Sequence, residues 1–212
     1  ILKGEMTMGW ITTYTNKQFY PLKPKPQDVC LEDIIWALSF KCRWTGHSQI
    51  FYSVAEHSVR VAREVLRQVQ HMSNLDEHVR YQVALIGLMH DATEAYLPDI
   101  ARPIKGSILV DLGDEKVSFR EAEDRLMKVI GSALDLPKLS TELYAQVKRA
   151  DDVVLVTEAR DIVHGLEGRD KVDYEPLREV IVPWSPEKSR EEFLKLYNEL
   201  IILSFPIGVC SD

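Results

Sequence analysis

From Asp76 to Ala95 the chain reads DEHVRYQVALIGLMHDATEA. Val79, Val83, Ile86 and Met89 recur at three- and four-residue intervals, the period of an amphipathic helix and not of a strand. The spacing predicts a helix over about 76–95. It puts His90 on the inward line and Glu94 four residues later on the same face. An imidazole and an acid on an apolar face are costly unless they are paired or bind a metal.

Two neighbouring segments carry the same pattern. A helix is expected from about Ser53 to Gln70, with Val54, Val61 and Val65 inward and His57 in line with them. Another is expected from about Ser140 to His164, where Asp151 shares a line with Val147, Leu155, Glu158 and Ile162. Three helices thus each turn a metal-capable group toward the interior. His57, His90, Asp91 and Asp151 together offer two nitrogen and two oxygen donors. That mixed set suits a divalent ion such as Mn, Co, Ni, Fe or Zn and leaves positions for water and substrate. Asp152 competes with Asp151, but helical phase and the Ala150-Asp151 register favour Asp151.

The remaining elements follow from local signals. Trp10 to Tyr14 and Phe19-Tyr20, around Asn16-Lys17, read as a hairpin within Thr7–Tyr20. Pro21, Pro24 and Pro26 bar a helix before Asp28, which is expected to cap one carrying Leu31, Ile34, Ile35, Leu38 and Phe40. A polar turn spans Arg43 to Gln49. After the helix at 76–95 comes a loop with Pro98, Pro103 and Gly106, then a helix over about Lys116–Leu134. Val180-Ile181-Val182 suggests a short extended piece. Ser185-Pro186-Glu187 is a helix start, with serine as cap, proline in the first turn and an acid at the positive end.

The expected fold is mostly α: one helical bundle with a small N-terminal hairpin. Its divisions are an extension at 1–27, a core at 28–164, and a C-terminal extension with the final helix at 165–212.

Composition narrows the function. The 212 residues are 45% hydrophobic and 28% charged, an ordinary globular balance. The formal net charge is −7, the wrong sign for a binder of nucleic-acid polymers. No apolar run reaches the roughly 18 residues of a membrane span. Residues 1–10 lack the basic start and apolar middle of a signal peptide, and a start site is expected near Met6 or Met8. The three cysteines, Cys30, Cys42 and Cys210, form neither a disulfide framework nor a C-x-x-C pair, which points to a reducing, cytoplasmic setting.

The ordered set His57, His90-Asp91 and Asp151 resembles the H…HD…D signature of the HD-domain metal-dependent phosphohydrolases. The segments Phe51–Ser58, His90–Ile100 and Lys148–Asp151 are similar to the ligand segments of the branch that includes bacterial 5′-deoxynucleotidases and phage dATP triphosphohydrolases. The resemblance covers about residues 28–164.

It implies that His57, His90, Asp91 and Asp151 hold one divalent ion such as Co, Mn or Zn. By the same resemblance Glu94 positions or deprotonates the attacking water, and Asp99 lies near the sugar and the leaving oxygen. Arg43 contacts phosphate, Trp44 crowds the 2′ position against ribonucleotides, and Arg102 and Lys105 add phosphate contacts. The implied activity is hydrolysis of deoxynucleoside 5′-phosphates between the α-phosphorus and O5′. A monophosphate would give nucleoside plus phosphate; a triphosphate, dATP among the candidates, would give nucleoside plus triphosphate.

The expected partner is a small deoxynucleotide, with no membrane and with a homo-oligomer in which apolar surface such as Ile201 to Phe205 pairs. Two alternatives differ in class. Hydrolysis of a signalling nucleotide conflicts with the Arg43–Trp44 pair, and a non-catalytic nucleotide sensor conflicts with the complete ligand set. Cys42 has no activating base in view and reads as structural. His71 and His78 read as surface groups, His47 as a group beside the Arg43–Trp44 pair, and Trp184 as packing for the last helix.

Overall fold

The computed structural model describes residues 9–163 and 174–205, apart from the side chain of Arg102. Met6, Met8, His164, Gly165, Gly168 and Cys210 lie outside them. In chain order the elements are β1 (Ile11–Thr12), β2 (Gln18–Phe19), α1 (Leu31–Phe40), α2 (Val54–Val69), α3 (Glu77–Met89), α4 (Arg102–Lys105), β3 (Leu109–Asp111), β4 (Lys116–Ser118), α5 (Phe119–Ala133), α6 (Thr141–Ile162) and α7 (Pro186–Ser204). Short 3₁₀ turns occupy Pro26–Asp28, Trp44–Gly46 and Ala92–Ala95. The described residues are 58% helix and 6% strand, so the mostly α class holds. None of their helices is long and apolar enough to cross a membrane.

Serine starts four of these helices. Ser53, Ser118, Ser140 and Ser185 each stand extended before the first turn and accept the backbone N–H three residues on. Each thereby satisfies one of the donors that a helix start leaves open.

The chain groups into two compact units that interleave along the sequence, Ile1–Leu38 with Ala92–Leu136, and Ser39–Asp91 with Pro137–Asp212.

In the first unit the expected hairpin forms. Ile11 pairs with Phe19, and Asn16 turns the chain at a φ of 60°. Asp33 of α1 pins it, accepting from the Thr15 N–H at 2.7 Å and the Thr15 hydroxyl at 2.9 Å. Tyr14 stacks on Trp36, and Phe19 stacks on Tyr96.

Two expectations are corrected in this unit. Asp28 lies in the 3₁₀ turn opened by Pro26, and α1 begins only at Leu31. Lys116 to Ser118 form a strand that pairs with Leu109–Asp111, so α5 starts at Phe119 under its Ser118 cap. This second hairpin turns at Gly113, whose φ of 94° suits glycine, while the Asp111 carboxylate takes the Gly113 N–H.

The second unit is built from α2, α3, α6 and α7. From Val83 to Met89 every residue of α3 is buried, because α2, α6 and α7 all pack on it. A Cβ on Gly87 would stand 3.0 Å from a Val65 methyl and 3.5 Å from the Ala62 Cα, so α2 and α3 approach so closely there that a side chain would have to push Val65 aside.

No strand forms at Val180–Val182. Side chains satisfy the backbone of that stretch instead. Asp161 accepts the Ile181 N–H at 2.8 Å, Arg160 donates to the Leu177 and Glu179 carbonyls, and Glu56 accepts the Trp184 N–H at 2.7 Å. The guanidinium groups of Arg60 and Arg63, both on α2, lie over the Trp184 ring.

The Arg160 guanidinium holds the Asp161 carboxyl below its ordinary range against the opposing effect of burial. A depressed carboxylate adds stability above its unfolded pKa of about 3.9, and that stability is lost as pH falls through the folded value. Asp161→Ala is expected to cost about 1–3 kcal/mol, because it orphans the Ile181 N–H. Thermal melts should show the gap between variant and parent at pH 7 narrowing toward pH 3.

Candidate metal centre

Helix α3 ends at Met89, one residue short of His90. The His90 ring turns back and its Nδ1 lies 2.7 Å from the Gly87 carbonyl, which the ending helix leaves open. Glu94 therefore does not continue the α3 face. It sits in the 3₁₀ turn Ala92–Ala95, where the chain closes through Leu97 N–H to Thr93 carbonyl. This corrects the expected helix over 76–95.

A carbonyl oxygen only accepts, so the Nδ1 of His90 must carry a hydrogen and its Nε2 points away from the helix. The same logic fixes His57. Its Nδ1 lies 2.6 Å from Glu158 Oε1 in full burial. Burial opposes ionisation of Glu158, but Arg43 and then His57 hold its carboxyl below the usual range. As a carboxylate it too only accepts.

The two Nε2 atoms meet at 3.3 Å. Asp151 Oδ1 lies 3.3 Å from His57 Nε2. Asp91 Oδ2 lies 3.3 Å from His90 Nε2 and 3.7 Å from His57 Nε2. His57, His90 and Asp151 bring their ligand atoms within 4.8 Å of one another, a group that could hold a metal ion. Asp91 shares its oxygen with Arg43, whose Nη1 is 3.2 Å away. Asp152 pairs with Lys148 at 2.6 Å, and of the two adjacent aspartates it is Asp151 that groups with the histidines. Lys148 also reaches the outer oxygen of Asp151 at 2.8 Å.

The electrostatics call for positive charge at this point. Burial alone would push the His90 imidazole down, but Asp91 and Asp151 carry it up to about 9. Both aspartates are half-buried, and their partial burial opposes ionisation, yet their charged neighbours hold them well below the usual carboxylate range, His90 chiefly for Asp91 and His57 chiefly for Asp151. Two bare Nε2 lone pairs at 3.3 Å repel unless a proton or a cation lies between them. A divalent ion fits this donor set. Outer hydrogen bonds to Glu158 and to the Gly87 carbonyl fix both rings, as such partners do for metal-ligating histidines.

Arg43 and Trp44 stand beside the cluster. Arg43 Nε and the Trp44 indole N–H both meet Glu158 Oε2, at 3.3 and 3.2 Å. Trp44, Thr45 and Gly46 all have positive φ, a tight left-handed run inside the polar stretch Arg43 to Gln49. His47 is exposed, and Cys42 is a half-buried free thiol in a bridge with Ser53.

Glu94, Asp99, Arg102 and Lys105 belong to the first unit. Lys105 pairs there with Glu123 at 2.7 Å. Sequence reasoning placed Glu158 on the inward line of α6 but not its three bonds, since Arg43 and Trp44 are more than 100 residues away in the chain.

Fold and site together define a mostly helical protein whose His57–His90–Asp151 group, with His57 buried and the other two half-buried, could hold a metal ion. No family model matches the chain. It is 32% identical over 201 residues to YfdR, an uncharacterised protein of Escherichia coli (strain K12), covering 91% of this chain and 96% of that one. It is also 31% identical over 160 residues to an uncharacterised protein of Rhodobacter capsulatus, covering 74% of each. The chain belongs to the family of YfdR.

Proposed function

We propose that this chain is a divalent-metal-dependent phosphohydrolase of the HD-domain type, acting on deoxynucleoside 5′-phosphates at the bond between the α-phosphorus and O5′. The convergence of His57, His90, Asp91 and Asp151, with both imidazole Nδ1 atoms anchored outward, carries the reading. Those four side chains would hold the ion. When bound, such an ion polarises phosphoryl oxygens and lowers the pKa of water.

The chain's own residues supply the rest. Arg43 already spans two carboxylates, and a phosphate can replace Asp91 as the partner of its outer nitrogen. Trp44, pinned through its indole nitrogen, presents a rigid ring suited to refusing a ribose hydroxyl. Glu94 as base for the attacking water and Asp99 as acid for the leaving oxygen are assignments from the family resemblance. Arg102 and Lys105 are proposed phosphate contacts on the same ground, and Lys105 must give up Glu123 to serve. A homo-oligomer would cover the exposed Ile202, Leu203 and Phe205.

A product assay tests the reading. The protein, supplied with Co, Mn or Zn, is given ribo- and deoxynucleoside mono- and triphosphates. Deoxynucleoside plus phosphate, or plus triphosphate, is the expected product. Equal turnover of ribonucleotides would favour the signalling-nucleotide reading. Binding without turnover in every metal would favour a sensor.

A further inference from the structure

We infer that Glu158 is a positioning residue, one carboxylate that holds His57 and the Arg43–Trp44 pair in a single arrangement and so couples metal retention to selection at the sugar. The two ends of that coupling take their meaning from the proposed function; the arrangement itself does not depend on it.

The Glu158 side chain is fully buried on α6 and its two oxygens serve three donors. Oε1 takes the His57 Nδ1–H at 2.6 Å, which leaves the His57 Nε2 lone pair free to face His90 and Asp151. Oε2 takes the Arg43 Nε–H at 3.3 Å and the Trp44 indole N–H at 3.2 Å. Trp44 and Thr45 sit at φ values of 57° and 49°, a left-handed conformation unfavourable for residues with a Cβ. Such strain persists only where the surroundings over-determine it. The indole bond to Glu158 is one constraint, and the Arg43 N–H to the Tyr52 carbonyl, at 2.9 Å, is another.

Glutamine has the same shape and the wrong hydrogen-bonding pattern. It offers one acceptor oxygen to three donors. If its amide nitrogen faces His57, that ring must accept at Nδ1 and carry its hydrogen at Nε2, where a metal needs the lone pair. If the amide nitrogen faces the other way, Arg43 and Trp44 meet a donor. Either orientation breaks one end of the arrangement.

The test compares full-length wild type, Glu158→Gln and Asp161→Ala, the last as a control that loosens the same helix away from the cluster. Three quantities are measured: the His57 ring-nitrogen and Trp44 indole NMR signals without added metal, Co²⁺ affinity by calorimetry, and the ratio of kcat/KM for deoxy- over ribonucleoside monophosphates. Glu158→Gln is expected to move the His57 or Trp44 signals and, according to which end the amide nitrogen faces, either to weaken Co²⁺ binding roughly 10- to 100-fold or to drive the deoxy-to-ribo ratio toward one. Unchanged His57 and Trp44 signals would overturn the inference. So would Co²⁺ affinity and a substrate ratio matching those of Asp161→Ala. If wild type neither binds Co²⁺ nor turns over a deoxynucleotide, the proposed function falls, and the NMR signals alone decide for or against Glu158 as the holder of His57 and Trp44.

Discussion

Asp151→Ala is expected to abolish metal-dependent turnover, while Asp152→Ala keeps most of it. The two carboxylates are adjacent on α6 and chemically identical, so the contrast isolates position. Asp151 Oδ1 faces His57 Nε2 at 3.3 Å, and Asp152 faces Lys148. Removing even an outer partner of a metal ligand typically costs about 10- to 100-fold, and a proposed ligand should cost more than that. Asp152→Ala loses a pair with a largely exposed lysine, worth at most about 1 kcal/mol. Steady-state kinetics at fixed Co²⁺ or Mn²⁺ would show it, and equal losses in the two variants would contradict the assignment.

Saturating divalent ion is expected to raise the melting temperature, and His90→Ala is expected to erase the rise. An ion that binds only the folded chain stabilises it by about 2.7 kcal/mol at a hundred times its Kd. For a chain of this length that corresponds to roughly 5–10 °C. The ligands come from α2, α6 and the end of α3, so the ion would tie three helices of the second unit together. His90→Ala removes one nitrogen and the group that takes the Gly87 carbonyl. Its melting point without metal should fall, and added metal should no longer restore it. Differential scanning calorimetry with and without chelator separates the two effects.

Much of this was legible in the sequence because it is local. The helix starts at Ser53, Ser140 and Ser185 announce themselves within four residues, and the inward lines of α2 and α6 follow from spacing alone. What failed depended on contacts or on very short elements. Nothing in Leu88-Met89-His90-Asp91 signals a helix end, since no glycine or proline stands there; α3 stops where a side chain takes a backbone carbonyl, and Glu94 leaves the expected face. The three-residue strands Leu109–Asp111 and Lys116–Ser118 carry too little periodicity to separate from a helix start. Glu158 was visible as an acid on an apolar line, but the bonds that give it three donors cross 101 to 115 positions of sequence. The division into two interleaved units leaves no composition shift at its borders.

The most direct measurement is the metal content of the protein after loading with Co²⁺ and removal of free ion, by mass spectrometry against protein concentration. Wild type is expected to retain one ion per chain, and Asp151→Ala and His90→Ala essentially none. A wild-type chain that retains no ion, or variants that retain as much as wild type, would contradict the metal centre and the hydrolase reading built on it.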